Sequence, residues 1–120
     1  MDDDDMIRQI GYNLLTGLGL KVVTASNGEE ALSAFKEYRN MGLHFDVVIL
    51  DLTIKGGMGG KEAFEALKGI DPGIKAIVSS GYSGDSLMSE YRDFGFKGVL
   101  RKPYTIEELT GTLDSLLNGC

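Results

Sequence analysis

The chain has 120 residues, 42% of them hydrophobic, with 12 Lys+Arg against 18 Asp+Glu for a formal net charge of −6. That is one domain's length with enough apolar content for a core, and its acidic balance argues against a nucleic-acid-binding surface. One cysteine (Cys120) and one histidine (His44) leave no internal disulfide, Cys-based zinc site or His-rich metal centre. No apolar run reaches the ~18 residues that span a bilayer, and no secretory signal pattern is present, so a soluble cytoplasmic domain is expected.

The first element is an amphipathic helix over 4–18, with Ile7, Ile10, Leu14, Leu15 and Leu18 at helical spacing. Gly17 and Gly19 supply its stop signal. Residues 21–25 are short and β-branched, and predict a strand. Ser26 and Glu29 have the spacing of a capping box for a helix carrying Ala31, Leu32, Phe35 and Tyr38. Residues 45–50 form a continuous apolar run, as in a parallel strand buried on both faces. A Gly-rich loop over 56–60 precedes a short helix with Ala63, Phe64 and Leu67. Residues 75–79 predict a strand, 85–94 a helix and 97–100 a last short strand. Thr105 and Glu108 have capping-box spacing for the final helix, which carries Ile106, Leu109, Leu113, Leu116 and Leu117. Strict alternation with short loops predicts an α/β domain with a parallel sheet and right-handed crossovers. The alternation begins with a helix, where a doubly wound unit begins with a strand.

In open parallel sheets, ligands bind at the carboxyl ends of the strands. Asp51 ends the most apolar strand, Ser79 and Ser80 the next, and Lys102 the last, while Asp2 and Asp3 stand just before the first helix. Three carboxylates, a hydroxyl and an amine would converge at one edge. Carboxylates that close do not all ionise without a cation, and an oxygen-only ligand set selects a hard ion such as Mg²⁺. A cation beside a free carboxylate and a lysine is a place to receive a phosphoryl group.

These residues carry a family resemblance over essentially the whole chain. The acidic run followed by Met6-Ile7-Arg8, the segment from Asp46 to Asp51, the Gly-rich loop with Lys61 and Glu62, the segment from Ile77 to Ser83, and Gly95 to Tyr104 with Lys102-Pro103 follow one another in the order of a two-component response regulator receiver domain. The pattern is most similar to receivers of hybrid sensor histidine kinases. The resemblance implies a flavodoxin-like doubly wound sheet of order 2-1-3-4-5, with helices on both faces. It makes Asp51 the phosphoacceptor; Ser79 and Lys102 phosphoryl-binding; and Asp2, Asp3, Asp51 and the Thr53 carbonyl the Mg²⁺ ligands. It also implies a cis Lys102–Pro103 bond and a phosphohistidine donor on a sensor histidine kinase or histidine phosphotransfer protein. A homodimer is possible, and no nucleic acid or membrane is expected to bind.

The chain departs from the pattern in places. Lys55 stands where the family usually has Pro, and Val99 where it often has an aromatic switch residue, so Tyr104 or Tyr82 might substitute. A small Gly81 should leave room for a hydrolytic water. Only Met1 precedes Asp2, so within residues 1–120 the receiver's internal first strand is missing or cut before Met1. We expect a trimmed start rather than a natural four-stranded variant; were the chain complete, the sheet would collapse over the gap or borrow a strand from a partner. An aspartyl-phosphate hydrolase is disfavoured, because Thr53 stands where that class needs a second carboxylate. A pseudo-receiver that binds partners without phosphorylation is the alternative function. A Walker A reading of the Gly-rich loop fails, because Lys55 stands where that loop needs Gly and Glu62 follows Lys61. His44 reads as partly exposed structure and Cys120 as a terminal thiol.

Overall fold

The switching hydrophobic period resolves into alternating helices and strands. The computed structural model describes residues 1–52, 58–80, 91, 92, 94–101 and 104–117. In chain order these form α1 (Asp5–Gly17), α2 (Gly28–Asn40), β1 (Val48–Asp51), α3 (Gly60–Ile70), β2 (Ala76–Ser80), β3 (Gly98–Arg101) and α4 (Ile106–Leu117). Most of the helix expected over 85–94 lies outside the described residues.

The three described strands form one parallel sheet in the order β1-β2-β3. Val48 pairs with Ala76 and Asp51 with Ser79, while Ile77 pairs with Gly98 and Ser80 with Arg101. The strands are apolar on successive residues because both faces are covered. Leu50, Ala76 and Val78 pack against Phe35 of α2 and Ala63, Phe64 and Leu67 of α3. Ile77 and Leu100 pack against Leu109 and Leu113 of α4, with Leu14 and Leu15 of α1 half-buried beside them. This is the parallel α/β sheet that the alternation predicts, with the helices on both faces that the resemblance implies.

The helix starts differ in how closely they follow the sequence signals. Asp4 caps α1, its carboxylate accepting from the Met6 and Ile7 amides. Gly19, at φ +86, supplies the left-handed turn after that helix. Thr105 caps α4 as expected, its hydroxyl accepting from the Glu108 amide, while the Glu108 carboxylate accepts from that hydroxyl rather than from the Thr105 amide of a full capping box. The Ser26–Glu29 box is not formed. Asn27 caps α2 instead, accepting from the Glu30 amide, and Glu30 accepts from the Ser26 amide and hydroxyl. Glu29 is thereby left to accept from the Met58 amide at 3.0 Å. The Ser26 hydroxyl, then its amide, hold the Glu30 carboxyl below its usual pKa.

The outer side of β1 departs from expectation. Residues 21–25 are not a strand, and the strand expected over 45–50 begins only at Val48. Both segments would pair with a common neighbour, and among the described residues only Met1 and Asp2 occupy that position. The Met1 amine donates to the Ile49 carbonyl at 2.8 Å, and the Asp51 amide donates to the Met1 carbonyl at 3.0 Å. On the other side, the Asp2 amide donates to the Ala25 carbonyl at 3.0 Å. These bonds follow a parallel ladder one residue long. Beyond it the gap has not collapsed. A cavity of about 540 Å³ remains, lined by apolar side chains that include Val22, Leu43, Phe45 and Val47. Segments without a continuous ladder partner do not keep strand geometry along their length, which is why residues 21–25 form no strand and β1 starts late.

Phe64 is 2% exposed and stacks on Phe96 with ring centroids 4.3 Å apart. Its replacement by Ala removes an aromatic ring that the packed sheet cannot refill. The expected cost is about 3–5 kcal/mol, read as a lower urea midpoint at unchanged slope.

Candidate functional site

The site is assembled where the parallel strands end. Asp51 is the last residue of β1 and is fully buried. Its partner across the ladder is Ser79, so the two strands deliver a carboxylate and a hydroxyl side by side. Alternation along the strands puts both on the face shared with Ile49 and Ile77, the side covered by α1 and α4. Ser79 is 2% exposed, and its Oγ has no hydrogen-bond partner among the described residues. A buried hydroxyl in that state carries a desolvation cost that a ligand oxygen would relieve.

The acidic pair reaches Asp51 through the Met1 ladder. The Met1 carbonyl accepts from the Asp51 amide itself, so the next two residues emerge at the mouth of the site. Asp2 is buried, and its Oδ1 accepts from the Asp4 amide at 2.9 Å. Asp3 is exposed. Carboxylate oxygens of Asp2, Asp3 and Asp51 all lie within 4.8 Å of one another. Three anionic groups at that spacing, two of them buried, repel strongly unless a cation sits among them. The donors are all hard oxygens and one side is open to water, which suits a small divalent ion that keeps part of its hydration shell. The residues present therefore fit Mg²⁺.

Of the residues expected at the site, Asp2, Asp3, Asp51 and Ser79 are brought together. Thr53 and Lys102, with the Lys102–Pro103 bond, lie outside the described residues, as do Lys55, Gly81 and Tyr82. Tyr104 packs into the α1–α4 face, and its hydroxyl would lie 3.0 Å from a Cβ built on Gly11. Val99 packs on the opposite face, with the α2–α3 core.

Two features of the surroundings are not explicit in the sequence. A Cβ on Gly60 would lie 2.6 Å from the Asp51 carbonyl oxygen and 3.0 Å from its carbonyl carbon. The absence of a side chain thus lets the start of α3 abut the acceptor strand, a close approach that only glycine permits. Arg8 reaches back from α1, and its Nη1 donates to the Asp2 carbonyl at 2.8 Å. The Gly-rich loop signals the first of these features. The second is announced only by Arg8 at the end of the acidic-run motif, where the sequence assigns it no role.

With this geometry in hand, comparison with known proteins is specific. Residues 1–114 match the family model described as the response regulator receiver domain. Sensor kinase CckA of Brucella abortus is 30% identical over 117 residues, which cover 98% of this chain and 12% of that protein. Sporulation initiation phosphotransferase F of Bacillus subtilis is 28% identical over 117 residues, covering 98% and 90% respectively. The crystal structure of a receiver domain protein from Clostridium thermocellum superposes with a TM-score of 0.85 at 30% identity, covering 98% of this chain and 90% of that one.

Gly60→Ala drives a methyl group into backbone rather than into a flexible side chain. We expect a loss of about 1–3 kcal/mol in urea melts, together with a shifted Asp51 amide resonance from displacement of the α3 start.

Proposed function

We infer function from family membership: the chain belongs to the response regulator receiver domains, the signalling phosphoacceptor modules of two-component systems. Within that role, Asp51 is the residue that receives the phosphoryl group. The observation that carries this reading is the buried Asp51 carboxylate, in register with Ser79 and clustered with Asp2 and Asp3.

The chemistry follows from what each side chain offers. An Asp51 carboxylate oxygen attacks phosphorus in line and forms the P–O bond of an acyl phosphate. The P–N bond to a donor histidine breaks, and its electron pair stays on the imidazole nitrogen. Asp2, Asp3, Asp51 and the Thr53 carbonyl would hold Mg²⁺, which when bound offsets the charge of the carboxylates and of the transferring oxygens. The Ser79 hydroxyl donates to a phosphoryl oxygen and so gains the partner it lacks. Lys102 supplies a cation to another of those oxygens. The domain contributes this machinery to its own phosphorylation and dephosphorylation, and the donor is a phosphohistidine on a sensor histidine kinase or histidine phosphotransfer protein. The net charge of −6 turns nucleic acid away from this domain. Among the described residues no helix is long and apolar enough to cross a membrane, in keeping with a cytoplasmic setting.

Beryllofluoride with Mg²⁺ tests the reading. Wild type is expected to shift the amides of Asp51 and Ser79. Asp51→Asn should abolish the response, and Ser79→Ala should weaken it while leaving Mg²⁺ binding in place. A response that survives in Asp51→Asn overturns the assignment. Silence in the wild type, with Mg²⁺ bound or not, favours the pseudo-receiver alternative.

The cavity beside β1 belongs to the same reading. Its direction and register are set by Met1, whose nitrogen already occupies an amide position opposite Ile49. An extended apolar segment of about five residues running into Met1 would complete the sheet between residues 21–25 and β1. Appending such a segment should raise the urea midpoint and tighten Mg²⁺ binding together. Equal stability with and without it would refute this assignment of the cavity.

A further inference from the structure

The acidic pair, Asp2 and Asp3, is joined to the fold through its backbone. The adjoining Met1 makes the ladder to β1, and the Asp2 amide donates to the Ala25 carbonyl. The Arg8 side chain also donates to this backbone. Arg8 Nη1 meets the Asp2 carbonyl at 2.8 Å, while Nη2 pairs with the Asp5 carboxylate. The Arg8 side chain is 24% exposed and that of Asp5 89%, so the arginine lies along the protein while its acidic partner stands in solvent. Its charge is also felt across the gap by Glu30 in the first turn of α2, as the weakest of the influences that lower that carboxyl, behind the Ser26 hydrogen bonds.

We propose that Arg8 is a positioning residue for the cation site, its guanidinium fixing the Asp2 carbonyl so that the Asp2 and Asp3 carboxylates stay directed at Asp51. This rests on the reading of that cluster as a Mg²⁺ site. Arg8 touches neither the ion nor the reacting atoms. It acts through the backbone of the residues that do, as outer partners of metal ligands commonly do.

The proposal has a sign that separates it from plain electrostatics. Deleting a positive charge beside three carboxylates should by Coulomb's law strengthen their hold on a cation. Losing the grip on Asp2 should weaken it. In Arg8→Ala, Mg²⁺ affinity measured by calorimetric titration of the unphosphorylated protein is expected to fall about tenfold. Hydrogen exchange at the Asp2 and Asp51 amides should speed up even without the ion. Arg8→Lys keeps the charge but loses the planar fork that meets two partners at once, so it should bind Mg²⁺ with an affinity between those of Arg8→Ala and wild type. Tighter or unchanged binding in Arg8→Ala overturns the proposal. So does a lowered urea midpoint with unchanged Mg²⁺ affinity, which would reduce Arg8 to a fastening for α1 through Asp5. Should Arg8→Ala fail to fold, Arg8→Lys decides alone, and wild-type affinity there counts against the proposal. A wild type that binds no Mg²⁺ would defeat the reading of the cluster itself, and this inference with it. If the wild type binds Mg²⁺ and only the Arg8 variants miss expectation, the cluster stands and Arg8 is dismissed.

Discussion

A pair of main-chain hydrogen bonds holds the candidate site together. The Met1 amine reaches the Ile49 carbonyl and the Asp51 amide reaches the Met1 carbonyl. Through them, one residue of extended backbone joins the acidic dipeptide to the strand that ends in Asp51. Without that join, Asp51 and Ser79 would still sit side by side at the ends of β1 and β2. The join is what draws Asp2 and Asp3 alongside them, where the three carboxylates cluster. Each bond contributes on the order of 1 kcal/mol net. The geometry of the cluster therefore depends on interactions that are individually weak and mutually supporting.

The rest of the molecule is organised around the same sheet end. The apolar runs of β1 and β2 bury both of their faces under helices, and that burial orients the strand ends. Small residues then admit close approach. Gly60 brings α3 against the Asp51 carbonyl, and Gly28 brings α2 against Met58, where a Cβ would lie 2.7 Å from the methionine side chain. The Gly28 amide donates to the Met58 carbonyl at 2.8 Å, and the Glu29 carboxylate accepts from the Met58 amide. The chain is thus secured on both sides of the segment after Asp51: by the sheet at Leu52, whose amide donates to the Ser79 carbonyl, and by α2 at Met58.

The sequence made most of this architecture legible, for a physical reason. Period and capping are local, and local signals placed α1, α3 and α4 and the Thr105–Glu108 cap. What depends on a distant partner was not legible. Residues 21–25 have the composition of a strand, but a strand is a relation between two chains of backbone, and among the described residues only Asp2 bonds this segment, at Ala25. The Ser26–Glu29 spacing was a sound capping signal. It lost to Asn27 because Glu29 finds a better partner in Met58, which lies 29 residues away. At the site, Asp2, Asp3, Asp51 and Ser79 were found because strand ends collect chemistry. The Arg8 contact with Asp2 was not found, since it depends on how far α1 turns back over the residues that precede it.

One consequence joins the fold to the chemistry. Repulsion among the three carboxylates opposes the docking of the Met1–Asp2 segment on the sheet. A cation among them reverses the sign of that force. Binding the ion and docking the dipeptide are then two descriptions of one linked equilibrium, and whatever favours either favours the other by the same factor. The Arg8 guanidinium and the open cavity bear on that equilibrium from opposite sides. Arg8 ties the dipeptide down at the Asp2 carbonyl. The cavity leaves the residue before it without a continuous ladder. Neither touches Asp51, yet each sets how often the acidic pair stands opposite it, so affinity for the ion reports on the integrity of the sheet edge as directly as any measure of folding.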